Sequence, residues 1–321
     1  MNEKKILLSI VVPCYNEEAV LMNFYDTTLT EVDKLKDELD YEFVFVDDGS
    51  KDKTLSILRE LAWMDKKVKY ISFSRNFGKE AGIYAGLRAA KGDYVVLMDA
   101  DLQHPPRYIP EMYEKLKSQN ADSVAMRRVD REGEGRIRAF FSKRFFGLMR
   151  RLGGNNLPEG ATDFRLMSRQ FVDAVLSLSE YNRFTKGIFG WVGFDTIWMS
   201  YKNEERAAGE SKWSMKGLIS YSIDGLVAFS TKPLTICSVI GFFFCVVAFI
   251  MMCWFVLKTL IWGDPVAGFP TLISIVLLMG GLQLLFLGIL GQYFAKAYME
   301  IKGRPVYIAK ESNVGKKEKA E

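Results

Sequence analysis

Histidine is nearly absent from this chain: His104 is the sole one in 321 residues. A histidine-based metal centre or a Ser/His/Asp triad needs that residue in the right company, and a single copy argues against both. The four cysteines form no recognisable framework. Cys14 lies in an apolar run near the N-terminus, Cys237, Cys245 and Cys253 fall together in a longer one, and no CxxC pair occurs that would suit zinc or a redox disulfide. Glycine-rich phosphate cradles are missing too: no GxGxxG opens the first helical segment and no Walker loop is present, so the usual dinucleotide and NTPase readings lose support. There is no internal repeat. The net charge of +4 says little by itself, and no nucleic acid is expected among the partners.

Charge is also absent, locally and completely, from two long stretches, Leu234 to Leu257 and Phe269 to Ala295. Each gives about 36 to 40 Å of helix, enough to cross a hydrocarbon core of roughly 30 Å with some tilt. A buried soluble helix of that length would carry a polar stripe, and these carry almost none. The link from Lys258 to Gly268 is short and nearly neutral, whereas Lys212, Lys216 and Lys232 precede the first stretch and Lys296, Lys302, Arg304 and Lys310 follow the second. The positive-inside rule therefore predicts a multi-pass protein of the plasma membrane with both termini and the catalytic part in the cytoplasm. The opening MNEKKILLSIVVP is too short and too β-branched an apolar run for a signal peptide. Gly280, Gly281, Gly288 and Gly291 permit close helix approach, so self-association into a homo-oligomer is an expectation to be tested by crosslinking.

The rest of the chain reads as alternating β and α. Strand-like runs recur at Leu7 to Val12, Tyr41 to Val46, Val68 to Phe73, Tyr94 to Met98 and Asp122 to Met126. Between the first two, Val20, Phe24, Leu29, Val32, Leu35 and Leu39 follow helical spacing. This order predicts an α/β fold with a doubly wound, mostly parallel sheet. The expected organisation is a catalytic domain over 1–212, a juxtamembrane amphipathic helix over 213–232, a two-helix anchor over 233–296 and a tail over 297–321. After Lys310 the tail is polar and without aromatics, so disorder is expected there. Arg136 to Leu152, with Phe140, Phe141 and Phe145 among six basic residues, fits an interfacial amphipathic helix, and Ser214 to Phe229 shows a weaker stripe of the same kind.

Acidic residues follow two of the strand-like runs. FVFVDDGS ends in Asp47, Asp48, Gly49 and Ser50, and YVVLMDADLQ delivers Asp99, Asp101 and Gln103. In an open α/β sheet that rim is where ligands bind. The bland reading is turn chemistry, which Asp-Asp-Gly-Ser suits well. Because side chains alternate along an extended backbone, Asp99 and Asp101 are expected to face one way, with Ala100 facing the other, and to suit a divalent cation, Mg2+ or Mn2+, that keeps positions for substrate phosphates.

Six segments, PCYNEE at 13–18, VDDGSKDKT at 46–54, SRNFGKEAG at 74–82, MDADLQHPP at 98–106, TDFRLMSR at 162–169 and AGESKWS at 208–214, resemble the polyprenyl-phosphate glycosyltransferases of glycosyltransferase family 2. The resemblance spans roughly residues 5 to 230 and reaches dolichyl-phosphate mannose synthases and bacterial undecaprenyl-phosphate glucosyltransferases, the latter sharing a two-span anchor. It implies a GT-A fold and an inverting, metal-dependent transfer of a sugar from a nucleotide-sugar donor, most simply glucose from UDP-glucose, to a polyprenyl phosphate at the membrane. UDP-N-acetylglucosamine, an aminoarabinose donor and GDP-mannose are the rival donors. By similarity Pro13, Tyr15 and Glu17 line the base and ribose pocket with Asp48 beside them, and Asp99, Asp101 and Gln103 hold the cation.

The chemistry asks for more positive charge, since a leaving diphosphate must be stabilised as the sugar departs. Arg127, Arg128 and Arg131 follow the fifth strand, and the resemblance points to Arg127 and Arg131. A phosphate monoester acceptor is mostly ionised at neutral pH and needs no deprotonation before attack. The resemblance nonetheless nominates Asp163, with Asp101, as catalytic, Asp163 acting as a base or orienting Arg165. Lys212, with Ser211 as a hydrogen-bond donor, is the expected contact to the acceptor or donor phosphate near the membrane. A processive polysaccharide synthase would need more spans and a QxxRW-type motif; a non-catalytic membrane scaffold is the alternative from another class, and intact Asp99, Asp101, Gln103 and Asp163 weigh against it.

Overall fold

A computed structural model describes residues 5–129, 158, 160–201, 231–262 and 268–315. The chain divides into two compact units, Met1–Ser220 with Arg304–Glu321, and Tyr221–Gly303. Arg131, Ser211 and Lys212, and the interfacial segments proposed at Arg136 to Leu152 and Ser214 to Phe229, lie outside the described residues.

Among the described residues of the first unit, eight strands form one sheet in the order β7-β5-β6-β4-β1-β2-β3-β8. They are β1 (Ile6–Cys14), β2 (Leu39–Asp47), β3 (Val68–Phe73), β4 (Tyr94–Leu97), β5 (Ser123–Arg128), β6 (Ala161–Ser168), β7 (Thr196–Tyr201) and β8 (Ala309–Ser312). β1 runs parallel to both β2 and β4, β2 to β3, and β5 to β7, so Cys14, Asp47 and Leu97 end at one rim. β6 enters antiparallel between β4 and β5, with Leu97 opposite Arg165.

The central strands are buried on both faces, which explains their unbroken apolar runs. On one face Leu8, Ile10, Val12, Phe43, Phe45, Val96 and Leu166 pack against α1 (Leu21–Val32), α2 (Thr54–Met64) and α4 (Ile109–Gln119). The periodicity that suggested a longer first helix breaks early: a short 3₁₀ turn covers Asp33–Leu35, and Leu39 already belongs to β2. On the other face lies α3 (Lys79–Ala89), whose Ala81, Ala85 and Gly86 let its backbone approach closely. A Cβ on Gly86 would come within 2.3 Å of the Val11 side chain. This contact holds α3 down on the sheet, with its first residue, Lys79, towards the acidic rim.

Two loops at that rim are laced together. The Asn16 and Glu17 amides donate to Ser50 Oγ and Thr54 Oγ1, while the Lys51 and Lys53 amides donate to Asn16 Oδ1 and Glu18 Oε2. Gly49 between them has φ +68°, and a Cβ there would lie 2.5 Å from the Arg75 carbonyl carbon. Gly49→Ala therefore meets both a disfavoured conformation and an immovable backbone. We expect it to cost about 1–3 kcal/mol from conformation alone, read as a lower thermal midpoint of the detergent-solubilised protein; an unchanged midpoint would refute the packing.

The tail departs from the disorder expected after Lys310. Glu311 and Ser312 lie on β8, antiparallel to β3. Asn313 mimics a further strand residue, its Oδ1 accepting from the Tyr70 amide and its Nδ2 donating to the Val68 carbonyl. Tyr307 stacks on Phe73 with ring centroids 4.8 Å apart. Polar composition misled here because an edge strand needs few apolar side chains when its partner's backbone supplies the hydrogen bonds.

The second unit consists, among the described residues, of α7 (Lys232–Trp262) and α8 (Phe269–Ile301). Both are long and apolar enough to cross a membrane, over Pro233–Met251 and Leu278–Ile301, and neither of those windows is buried. The core helix of a soluble protein would bury such a surface. Gly280, Gly281, Gly288 and Gly291 have nothing within 4 Å of the position a Cβ would take.

Candidate active site

Asp47 and Asp48 close β2 and both are buried. Asp47 accepts from the Ser50 amide and the Ser72 hydroxyl, so it is a turn residue. Asp48 accepts from the amides of Phe77 at 2.6 Å and Gly78 at 2.9 Å. Burial pushes its carboxyl up, and the two amides only partly offset this. Asp48 thus anchors the loop that ends at Gly78, φ +97°, immediately before Lys79.

Lys79 is the residue around which the site is arranged. Its Nζ lies 2.7 Å from one oxygen of Asp99 and 2.8 Å from the other, and 2.9 Å from Asp163 Oδ2. Burial alone would lower its pKa, but Asp163 and Asp99 raise it well above the ordinary lysine value. Burial pushes Asp163 up, while Lys186, 3.8 Å away, and Lys79 more than reverse this and hold its carboxyl well below the usual range. Asp99 behaves likewise: Lys79 outweighs burial, and the net shift is downward. The site is therefore a cluster of ionised carboxylates held by lysines.

The DAD triplet is not strand. β4 stops at Leu97, and Leu102 adopts φ +59°, so alternation does not set the direction of Asp99 and Asp101. A turn does. The Asp99 amide donates to His104 Nδ1 at 3.1 Å, and the Gln103 amide to Asp101 Oδ1 at 3.1 Å. His104, buried and stacked on Phe164 at 5.3 Å, accepts at Nδ1 and so carries its proton on Nε2. Burial draws its pKa down, against the pull of Asp99, in keeping with a neutral ring. The single histidine thus shapes the acidic turn from behind.

The donor set fits a hard divalent cation. Asp99 and Asp101 are carboxylates at the rim, and the Asp99 side chain keeps 29% exposure. Among the described residues no group of three or more His, Cys, Asp or Glu side chains could cage an ion. A cation here would lean on substrate phosphates and water for its remaining ligands, as magnesium-type sites do.

Asp163 does not orient Arg165. The guanidinium of Arg165 is buried, donates to Ser123 Oγ at 3.0 Å and Thr196 Oγ1 at 3.3 Å, and lies 4.7 to 5.5 Å from the ring centres of Phe189, Trp198 and Phe171. Burial pulls its pKa to about 9, with Asp163 acting in the opposite sense. It pins β5, β6 and β7 to two further helices, α5 (Arg169–Ser177) and α6 (Thr185–Trp191). Arg127, on β5, donates from Nε to Ser200 Oγ on β7 at 2.9 Å. Pro13, the last residue but one of β1, lies beside Gly82 of α3, and Tyr15 and Glu17 stand on the laced loop, partly exposed.

Lys79, Glu80, Thr185 and Lys186 were given no role by the motifs, although Lys79 and Glu80 fall within SRNFGKEAG. The signal was electrostatic: a lysine opening a helix sits at the end where the dipole disfavours cations, so its reason for being there lies outside the helix.

Residues 9–176 match glycosyl transferase family 2. The chain belongs to that family. This family 2 glycosyltransferase is 42% identical over 315 residues to the putative glycosyltransferase CsbB of Bacillus subtilis, covering 98% of this chain and 94% of the relative. It is also 42% identical over 308 residues to the SfII prophage-derived bactoprenol glucosyl transferase of Shigella flexneri, covering 96% and 99%. Among solved structures, glucosyl-3-phosphoglycerate synthase from Mycobacterium tuberculosis with Mn2+, UDP-glucose and phosphoglyceric acid aligns at TM-score 0.46 and 20% identity, over 69% of this chain and 78% of that one.

Proposed function

We propose that this glycosyltransferase moves glucose from UDP-glucose to a polyprenyl phosphate, with inversion, at the cytoplasmic face of the membrane. The observation that carries the reading is the 42% identity to a bactoprenol glucosyl transferase across 96% of the chain. A match that long takes in both apolar helices as well as the acidic rim.

In this reading Asp99 and Asp101, with Gln103, hold Mg2+ or Mn2+. The bound cation supplies positive charge to the diphosphate as the glucosyl bond breaks. Pro13, Tyr15 and Glu17 face the nucleoside, Asp48 keeps their neighbouring loop in place, and Arg127 and Arg131 add charge on the phosphate side. Ser211 and Lys212 add a contact to the acceptor or donor phosphate from the membrane side. Residues 1–212 form the catalytic domain, 213–232 a juxtamembrane helix, 233–296 the anchor and 297–321 the return segment; both termini are cytoplasmic. The acceptor oxygen is already ionised at neutral pH, so Asp163 serves as a fixed negative charge that holds lysines rather than as a proton acceptor.

The test is to incubate purified protein with Mn2+, undecaprenyl phosphate and, in parallel, radiolabelled UDP-glucose, UDP-N-acetylglucosamine and GDP-mannose. Glucolipid alone is the expected product. Label entering lipid from another donor, but not from UDP-glucose, would replace the sugar assignment.

A further inference from the structure

Two lysines converge on Asp163 from the first turns of two different helices. Lys79 opens α3 and Lys186 is the second residue of α6. The residues beside them are clasped together: Glu80 Oε2 accepts from the Thr185 amide at 2.9 Å and from the Thr185 hydroxyl as well. Thr185 is buried, so this clasp fixes the start of α6 against the start of α3. Both ammonium groups are thereby brought to one carboxylate, at the helix ends where the dipole disfavours them. Helix stability does not explain that placement.

Counting charge explains it better. Glu80 is taken up by the Thr185 amide and hydroxyl, and in the ion pairs that remain Asp99 and Asp163 face Lys79 and Lys186. Once Asp99 serves the donor's cation, as in the function proposed above on which this inference rests, two ammonium groups are left sharing Asp163. The other substrate is a phosphate monoester carrying about −1.5 to −2 at neutral pH. The two lysines differ in attachment. Lys79 makes hydrogen bonds to both carboxylates, whereas Lys186 stands 3.8 Å from Asp163, beyond hydrogen-bond range, with 26% of its side chain exposed. Among the described residues its ion pair is this long one, so Lys186 can turn to an incoming anion without breaking a short contact.

We infer that Lys186, together with Lys79, seats the acceptor's phosphate monoester, and that Asp163 is the positioning residue that keeps the two ammonium groups side by side. The seat recognises a phosphate headgroup and not the prenyl chain.

The test uses the full-length protein in detergent with a short prenyl phosphate, the matching prenol and inorganic phosphate as separate probes. In Lys186→Met the KM for prenyl phosphate should rise at least about tenfold and its directly measured binding should weaken by the same factor, while the KM for UDP-glucose stays within about twofold and prenol binding is unchanged. Lys186→Arg should recover most of the loss. Inorganic phosphate should compete with prenyl phosphate in the wild type and less so in Lys186→Met. An unchanged acceptor KM, an equal rise for UDP-glucose, or a parallel loss of prenol binding would each overturn the seat. Wild-type protein that binds prenyl phosphate through Lys186 yet transfers no glucose would leave the seat standing and remove the donor assignment.

Discussion

Asp99→Asn combined with Asp101→Asn should reduce transfer from UDP-glucose to polyprenyl phosphate on the order of 10³-fold, with the protein still folded. Removing one preorganised charge-stabilising group typically costs about 10²–10³ in rate, and the pair acts as one unit, so the two losses will not multiply fully. Asparagine keeps the shape of each side chain. The turn that presents them also survives, because it is made by the Asp99 amide on His104, and an asparagine oxygen can still accept from the Gln103 amide. What disappears is the negative charge. Mn2+ binding, followed by electron paramagnetic resonance with UDP present, should fall together with the rate, while circular dichroism stays close to wild type and the thermal midpoint drops only by what the lost Asp99–Lys79 ion pair contributed. Retention of more than a tenth of wild-type activity with wild-type Mn2+ affinity would place the cation elsewhere.

The strands and the acidic rim were legible because they rest on short-range rules. Short apolar runs such as Phe43 to Val46, rich in β-branched and aromatic residues and followed by turn residues, suit strands buried on both faces, and acidic residues directly after them fall at the rim of a parallel sheet. The antiparallel insertion of β6 was not legible. Nothing local to TDFRLMSR says that it slips between β4 and β5, yet that placement brings Asp163 and Asp99 within reach of one ammonium group, that of Lys79. Lys79 and Lys186, 107 positions apart, meet only because Glu80 and Thr185 join their helices. The direction of Asp99 and Asp101 was inferred by extending strand alternation one turn too far. The backbone leaves the strand after Leu97, and a buried histidine takes over.

Asp163→Asn distinguishes a proton acceptor from a fixed charge. We expect turnover to fall on the order of 10²-fold, because Lys79 and Lys186 lose the carboxylate that holds both, while the KM for UDP-glucose changes little. The pH profile carries the decision. Asp163 has a depressed pKa in the folded protein, so its ionised form contributes stability above the ordinary aspartate value near 4, and that contribution is lost only as pH falls through the lower folded value. Lys79 is shifted the other way, so its contribution is complete below the ordinary lysine value near 10.4 and is lost only as pH rises beyond it. Neither group titrates between pH 5 and pH 8. An acid limb near pH 6 that appears in kcat/KM for the lipid and not in kcat/KM for UDP-glucose belongs to the second ionisation of the acceptor phosphate, about 6, whereas a limb shared by both points to Glu80 or Asp48, whose carboxyls burial pushes up. The lipid-specific limb should persist at the same pH in Asp163→Asn, at a lower plateau. A limb that vanishes or moves in the variant would make Asp163 the base after all, and would require a protonated acceptor that the lysines beside it were not needed to hold.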